Sequence, residues 1–84
     1  MSRVMITSSE QLGQVLQRAR KVAGLSQADA AARLDMSQSR ISHMELNPET
    51  ISVTQLLLLL AAYELDLLVE PRGMSDAVID RLEW

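Results

Sequence analysis

Residues 37–40 read Ser-Gln-Ser-Arg, and all four side chains are able to form hydrogen bonds. Ser42 and His43 extend the polar stretch around two apolar residues, Ile41 and Met44. Such side chains suit the edges of DNA bases. Gln38 can pair with adenine N6 and N7, and Arg40 can fork onto guanine O6 and N7. Arg40 can equally hold a phosphate, which adds affinity without sequence choice. Ser37 also has two readings, a base contact or a plain helix cap. Catalysis finds little to work with. The chain of 84 residues has no cysteine and one histidine, hence no thiolate site and no imidazole cluster. No glycine-rich phosphate loop is present, nor a nucleophile–base pair around His43. A non-enzyme without metal or cofactor is expected.

The net charge of −3 argues against a polyanionic partner until its distribution is considered. Residues 1–47 hold six basic side chains against four acidic ones, a balance of +2. Residues 48–84 hold two against seven, a balance of −5. Salt screens exposed charges beyond about 8 Å at physiological ionic strength, so a nearby phosphate would respond mainly to the first half. The two halves are expected to have different tasks.

The length fits one domain with a marginal core, and no disulfide can reinforce it, so a second subunit is the expected source of further burial. Val4, Met5 and Ile6 are too few for a signal peptide. The apolar run at 56–62 is closed by Tyr63, Glu64 and Asp66 well short of a membrane span. A soluble, cytoplasmic protein is expected.

The polar stretch needs elements to hold it. Ser8 and Gln11 have capping-box spacing, and Leu12, Val15, Leu16, Ala19, Val22 and Ala23 then recur at helical period, predicting a helix over about 9–23. Gly24 can adopt the left-handed conformation that ends it. Ser26 and Asp29 open a short alanine-rich helix over 27–34. Ser37 caps a third, running to about Leu46, where Asn47 is the expected left-handed cap and Pro48 blocks continuation. Two short helices joined by so tight a turn make a helix-turn-helix, whose second helix enters the major groove. Ser52 starts a fourth helix with Val53, Leu56, Leu57, Leu60 and Ala61 on one stripe. Leu58, Leu59 and Ala62 widen it until the helix is apolar nearly all round, which predicts burial nearly all round. Residues 65–70 read as a short strand that needs an edge, most simply its copy in a second subunit. The expected dimer interface is therefore Leu58, Leu59, Ala62, Leu65, Leu67, Leu68 and Val69. Residues 1–71 form the DNA-binding and dimerisation domain in this reading. Residues 72–84 form a tail in which Met74, Val78 and Leu82 line one side of a short helix.

Arg20, then "LSQADAAARL" and "MSQSRISHME", resemble the Xre or lambda-repressor-like helix-turn-helix domains over roughly residues 8–62. "ELNPETISVTQLLLLLAAYELDLLVEP" and the final "LEW" look more narrowly like the HipB-type antitoxins, which repress their own operon and hold a HipA-type kinase toxin. The resemblance implies an all-α, lambda-repressor-like bundle of about four helices, with a short C-terminal strand pairing across a dimer. Asn47 stands where many Xre domains have glycine, and the fifth helix of many is missing, which favours the strand-mediated dimer.

The resemblance also assigns residues. Ser37, Gln38, Ser39 and Arg40 contact bases. Gln27 contacts a phosphate and braces the recognition helix, and Ser26 joins it because helix N-termini attract anions. Arg33, Ser42 and His43 complete the backbone contacts, with a solvated imidazole as the plain alternative for His43. Arg18 and Lys21 are read as solvated. Arg20 and Glu45 form a structural ion pair. Trp84 is an anchor in a partner's pocket, a degradation signal, or idle.

The function implied is a sequence-specific repressor that is also the antitoxin of a HipA-type kinase toxin. Its partners would be operator DNA with an inverted repeat, a second copy of the chain, and the toxin, with no membrane. A stand-alone Xre repressor or restriction-modification controller shares every DNA-facing residue. A helical interaction module that has abandoned DNA would suit the acidic balance.

Overall fold

Every α-helix in the computed structural model, which describes residues 3–71, is preceded by a capping serine. The helices are α1 (Ser9–Val22), α2 (Gln27–Leu34), α3 (Gln38–Leu46) and α4 (Val53–Ala62), with a 3-10 turn at Pro48–Thr50 between the last two. The first amides of a helix lack intrahelical partners, and a serine hydroxyl one residue ahead supplies one. Ser8, Ser26, Ser37 and Ser52 each accept from the amide three residues on, at 3.2, 3.0, 3.1 and 3.1 Å. At α2 and α4 the bond is returned. Asp29 accepts from the Ser26 amide at 3.0 Å, and Gln55 from that of Ser52 at 3.2 Å. At α1 the return bond expected from Gln11 is displaced by one residue, because its Oε1 accepts from the Thr7 amide and hydroxyl, at 2.7 and 2.8 Å.

The helix ends correct one expectation. Gly24 takes the left-handed conformation after α1, with φ of 77°, and Asp35 does so after α2, with φ of 55°. Asn47, expected to do the same, has φ −130° and ψ 66°. Proline disfavours helical backbone at the residue before it, and Pro48 instead opens the 3-10 turn. The Asn47 amide still caps α3 by donating to the His43 carbonyl at 2.8 Å.

Leu16, Ile41 and Met44 are the largest fully buried side chains, joined in the core by Ala30, Ala31, Leu59, Leu60 and Tyr63. The small side chains of Ala30 and Ala31 let α2 lie close against α3. Gly13 does the same for α1. A Cβ built there would stand 2.6 Å from the Glu45 carbonyl oxygen and 2.6 Å from Pro48 Cγ.

The fold divides the leucines of α4 differently from expectation. Leu59, expected at a subunit interface, is 2% exposed and belongs to the chain's own core. Ala62 and Leu65 are half-buried against that core. Leu58 remains about half exposed, and Leu67, Leu68 and Val69 are exposed. The physical reason is geometric: α2 packs along one flank of α4, so one stripe faces inward and Leu57 and Leu58 lie outside it.

Among the described residues there is no strand, and 65–70 run without regular structure. Arg3 reaches Glu70 at 3.5 Å, an exposed pair of small energetic weight. The tail at 72–84, including Met74, Val78, Leu82 and Trp84, lies outside the described residues. No helix among the described residues is long and apolar enough to cross a membrane.

Candidate nucleic-acid interface

The cap that starts α3 also presents its polar turn. Ser37 Oγ accepts from the Arg40 amide at 3.1 Å and lies 3.2 Å from Ser39 Oγ, so Ser37 is engaged in the local structure. Gln38 and Ser39 are exposed, and the Gln38 side chain bonds to nothing among the described residues. Successive helical residues turn by about 100°, so Ile41 and Met44 on the buried side leave Ser39, Ser42, His43 and Leu46 on or near the opposite face. Gln38 stands at the edge of that face nearer Glu45. Arg40 stands at the other edge, beside α4. Leu46 is 77% exposed at the end of this surface, an apolar position the sequence reading did not single out.

Arg40 departs from a freely extended reader. It is half-buried, and its Nη2 donates to Gln55 Oε1 on α4 at 3.1 Å. Gln55 thereby accepts from both Arg40 and the Ser52 amide. Its spacing from Ser52, a serine followed three residues on by glutamine, signals the cap in the sequence. Nothing in the sequence signals the link to Arg40.

The orientation of α3 is set by a charged network. Arg20 Nε donates to Glu45 Oε2 at 2.7 Å and its Nη2 to Oε1 at 3.2 Å, a two-point grip with side chains 6% and 6% exposed. Its Nη1 donates to the Leu25 carbonyl at 2.8 Å. Hydrogen bonding to Glu45 holds the Arg20 guanidinium above its ordinary pKa despite burial, so it stays charged. Gln27 Nε2 donates to Glu45 Oε1 at 3.2 Å. One carboxylate near the end of α3 is thus held from α1 and from the first residue of α2.

The expected backbone contacts are in unequal positions. Gln27 is half-buried and bonded inward to Glu45. The Ser26 amide and hydroxyl are both committed to Asp29, whose carboxyl is held below its ordinary value mainly by the bond from the Ser26 amide. A carboxylate at that helix end opposes the phosphate contact expected of Ser26. Arg33 and His43 are exposed, with His43 Nδ1 3.5 Å from Asn47 Nδ2, and Ser42 is half-buried.

Tyr63 went unnoticed in the sequence except as the end of an apolar run. Its ring is buried, and its hydroxyl has no partner among the described residues. Burial raises its pKa first and the Glu45 carboxylate second, while Arg20 opposes. A buried unpaired hydroxyl costs about 1–3 kcal/mol in desolvation. Tyr63→Phe is therefore expected to leave thermal stability unchanged or raise it by up to about 1 kcal/mol. A loss beyond that in a melting experiment would show a partner for the hydroxyl.

Comparison with known proteins bears on this geometry. The helix-turn-helix family model matches residues 16–69. No curated protein matches the sequence. Among solved structures, the chain is similar to one described as a HipB–O1–O2 complex, with TM-score 0.74 and 26% identity over 82% of this chain and 100% of that one. A structure described as a HipA–HipB–O2–O3 complex gives TM-score 0.74 and 26% identity, over 82% of this chain and 97% of that one. So does one described as MDT protein, with the same values throughout.

Proposed function

The chain belongs to the helix-turn-helix family, with a fold of the HipB type, and from that premise we propose that it is a sequence-specific DNA-binding repressor. The reading rests chiefly on one observation. The first turn of α3 is polar and exposed, while the helix behind it is fixed by a buried two-point ion pair. A surface kept polar on a rigid mount suits base recognition, since readout fails when donors and acceptors can drift. The excess of basic side chains in residues 1–47 supports the same reading.

Each protomer of a dimer would set α3 into a major groove, with two half-sites about 34 Å apart in an inverted repeat. Leu58, Leu67, Leu68 and Val69, exposed in the protomer, are the apolar surface for such a dimer, and pairing of residues 65–70 between copies would supply the missing strand edge. Gln38 is the leading base reader, with Ser39 beside it. Binding should weaken steeply with salt through release of counterions. Gln38→Ala is expected to cost about 1–3 kcal/mol in operator affinity and to relax preference at one base position. A gel shift with the upstream region of its own operon tests both statements. Wild-type affinity in the variant would remove Gln38 from the readout.

The antitoxin role is the finer part of the proposal. It draws support from the likeness to HipB found in complex with HipA and from the acidic balance of residues 48–84. Co-purification of the full chain with a kinase-like protein encoded beside it is the expected result. Trp84 would serve as an anchor or degradation signal in that complex, and deletion of residues 74–84 should weaken capture if it does. Failure of the neighbouring gene product to bind would leave the stand-alone repressor reading.

A further inference from the structure

Arg40 has two chemically distinct uses on DNA, a fork onto guanine or a clamp on phosphate, and its surroundings discriminate between them. Its side chain leaves α3 at the flank facing α4, at the edge of the face that carries Ser39 and His43. It is half-buried there, and Nη2 is bonded to Gln55 at 3.1 Å across a sequence separation of 15. In a helix-turn-helix the N-terminal residues of the recognition helix reach base edges while phosphate contacts fix its register. Among the described residues, Arg40 is the one side chain of this first turn bonded to a neighbouring helix. The bond to Gln55 holds the guanidinium on the flank and commits one of its two terminal nitrogens. A fork onto guanine would require pulling the group off Gln55 and around to the outward face.

We infer that Gln55 is a positioning residue, which fixes Arg40 as a sequence-independent phosphate clamp and leaves base choice to Gln38 and its neighbours on α3. The inference rests on the DNA-binding reading above and sharpens it. Gln55 does not itself touch DNA in this arrangement. Its second bond, to the Ser52 amide, ties the clamp to the start of α4, so α3 and α4 approach the backbone as one unit.

The test uses the full chain and a pool of randomised duplex DNA, selected by binding, sequenced, and titrated over a series of KCl concentrations. Arg40→Ala should lower affinity several-fold by a similar factor on every sequence. It should reduce the slope of log affinity against log salt by about one and leave the base preferences intact. Gln55→Glu is the sharper variant. Glutamate preserves the capping box with Ser52, so melting temperature should hold or rise. Its carboxylate would neutralise Arg40, so affinity and salt slope should fall much as they do in Arg40→Ala. A merely structural role for Gln55 would move neither quantity while the fold stands.

Loss of guanine preference at one position in Arg40→Ala, with the salt slope unchanged, would overturn the inference. So would wild-type affinity and slope in Gln55→Glu. In either case binding by the unmodified chain would stand, and the repressor reading with it. If the unmodified chain binds no duplex even at low salt, the DNA-binding reading falls and this inference falls with it.

Discussion

Glu45→Ala should lower the stability of the chain by about 3–5 kcal/mol, the usual cost of breaking a buried ion pair on one side. The Arg20 guanidinium would remain charged and buried with only the Leu25 carbonyl among its present acceptors, and Gln27 would lose its partner. A domain this small has little margin, since folding free energies of whole domains are about 5–15 kcal/mol. Denaturant unfolding is expected to show a markedly lowered midpoint with an unchanged slope. Replacing both partners together, as in Arg20→Met with Glu45→Leu, should recover most of the loss, because no buried charge is then left unpaired. That double variant separates stability from function. If the pair's contribution to DNA binding is to hold α3 at the correct angle, the refolded double variant should bind DNA more weakly than wild type. A Glu45→Ala protein as stable as the parent would contradict the arrangement of α1 against α3.

The second large effect concerns Gly13. Glycine inside a helix destabilises it by roughly 0.5–1 kcal/mol relative to alanine, so a substitution to alanine in an exposed helix would stabilise. Here the sign should reverse. The added carbon would lie 2.6 Å from a backbone oxygen of α3 and 2.6 Å from Pro48, and neither is the movable end of a flexible side chain. Forcing α1 and the end of α3 apart should cost about 1–3 kcal/mol, the usual penalty of overpacking. Each kcal/mol corresponds to about 4–8 °C in Tm for a domain of this size. The crowded oxygen belongs to Glu45 itself, so the same displacement would loosen the grip of Arg20. Gly13→Ala and Glu45→Ala are therefore expected to be less than additive in a double-mutant cycle. An unchanged or raised Tm for Gly13→Ala would place α1 farther from α3 than the structure does.

Much of the architecture was legible before folding. The four serine caps and the helical spacing of apolar residues located the helices, because a cap or a turn of helix acts between residues three or four apart. The family was legible in "LSQADAAARL" and "MSQSRISHME", and the resemblance pointed to Arg20 and Glu45 as a pair, which the structure contains. The Asn47 cap was misjudged because its conformation depends on the next residue's ring. Leu59 was misassigned because an α4 apolar on almost every side does not reveal which stripe its own chain covers.

The sequence by itself determined where helices begin, which turn of α3 is polar, and which half of the chain carries the basic excess. All three are properties of residues near one another along the chain. Only the tertiary structure decided that Arg40 is held by Gln55, that Gln27 turns inward to Glu45, and that Gly13 must lack a side chain. Those facts join residues 15, 18 and 32 positions apart. They depend on the angles and distances at which helices cross, and side-chain packing sets these only once the core has closed.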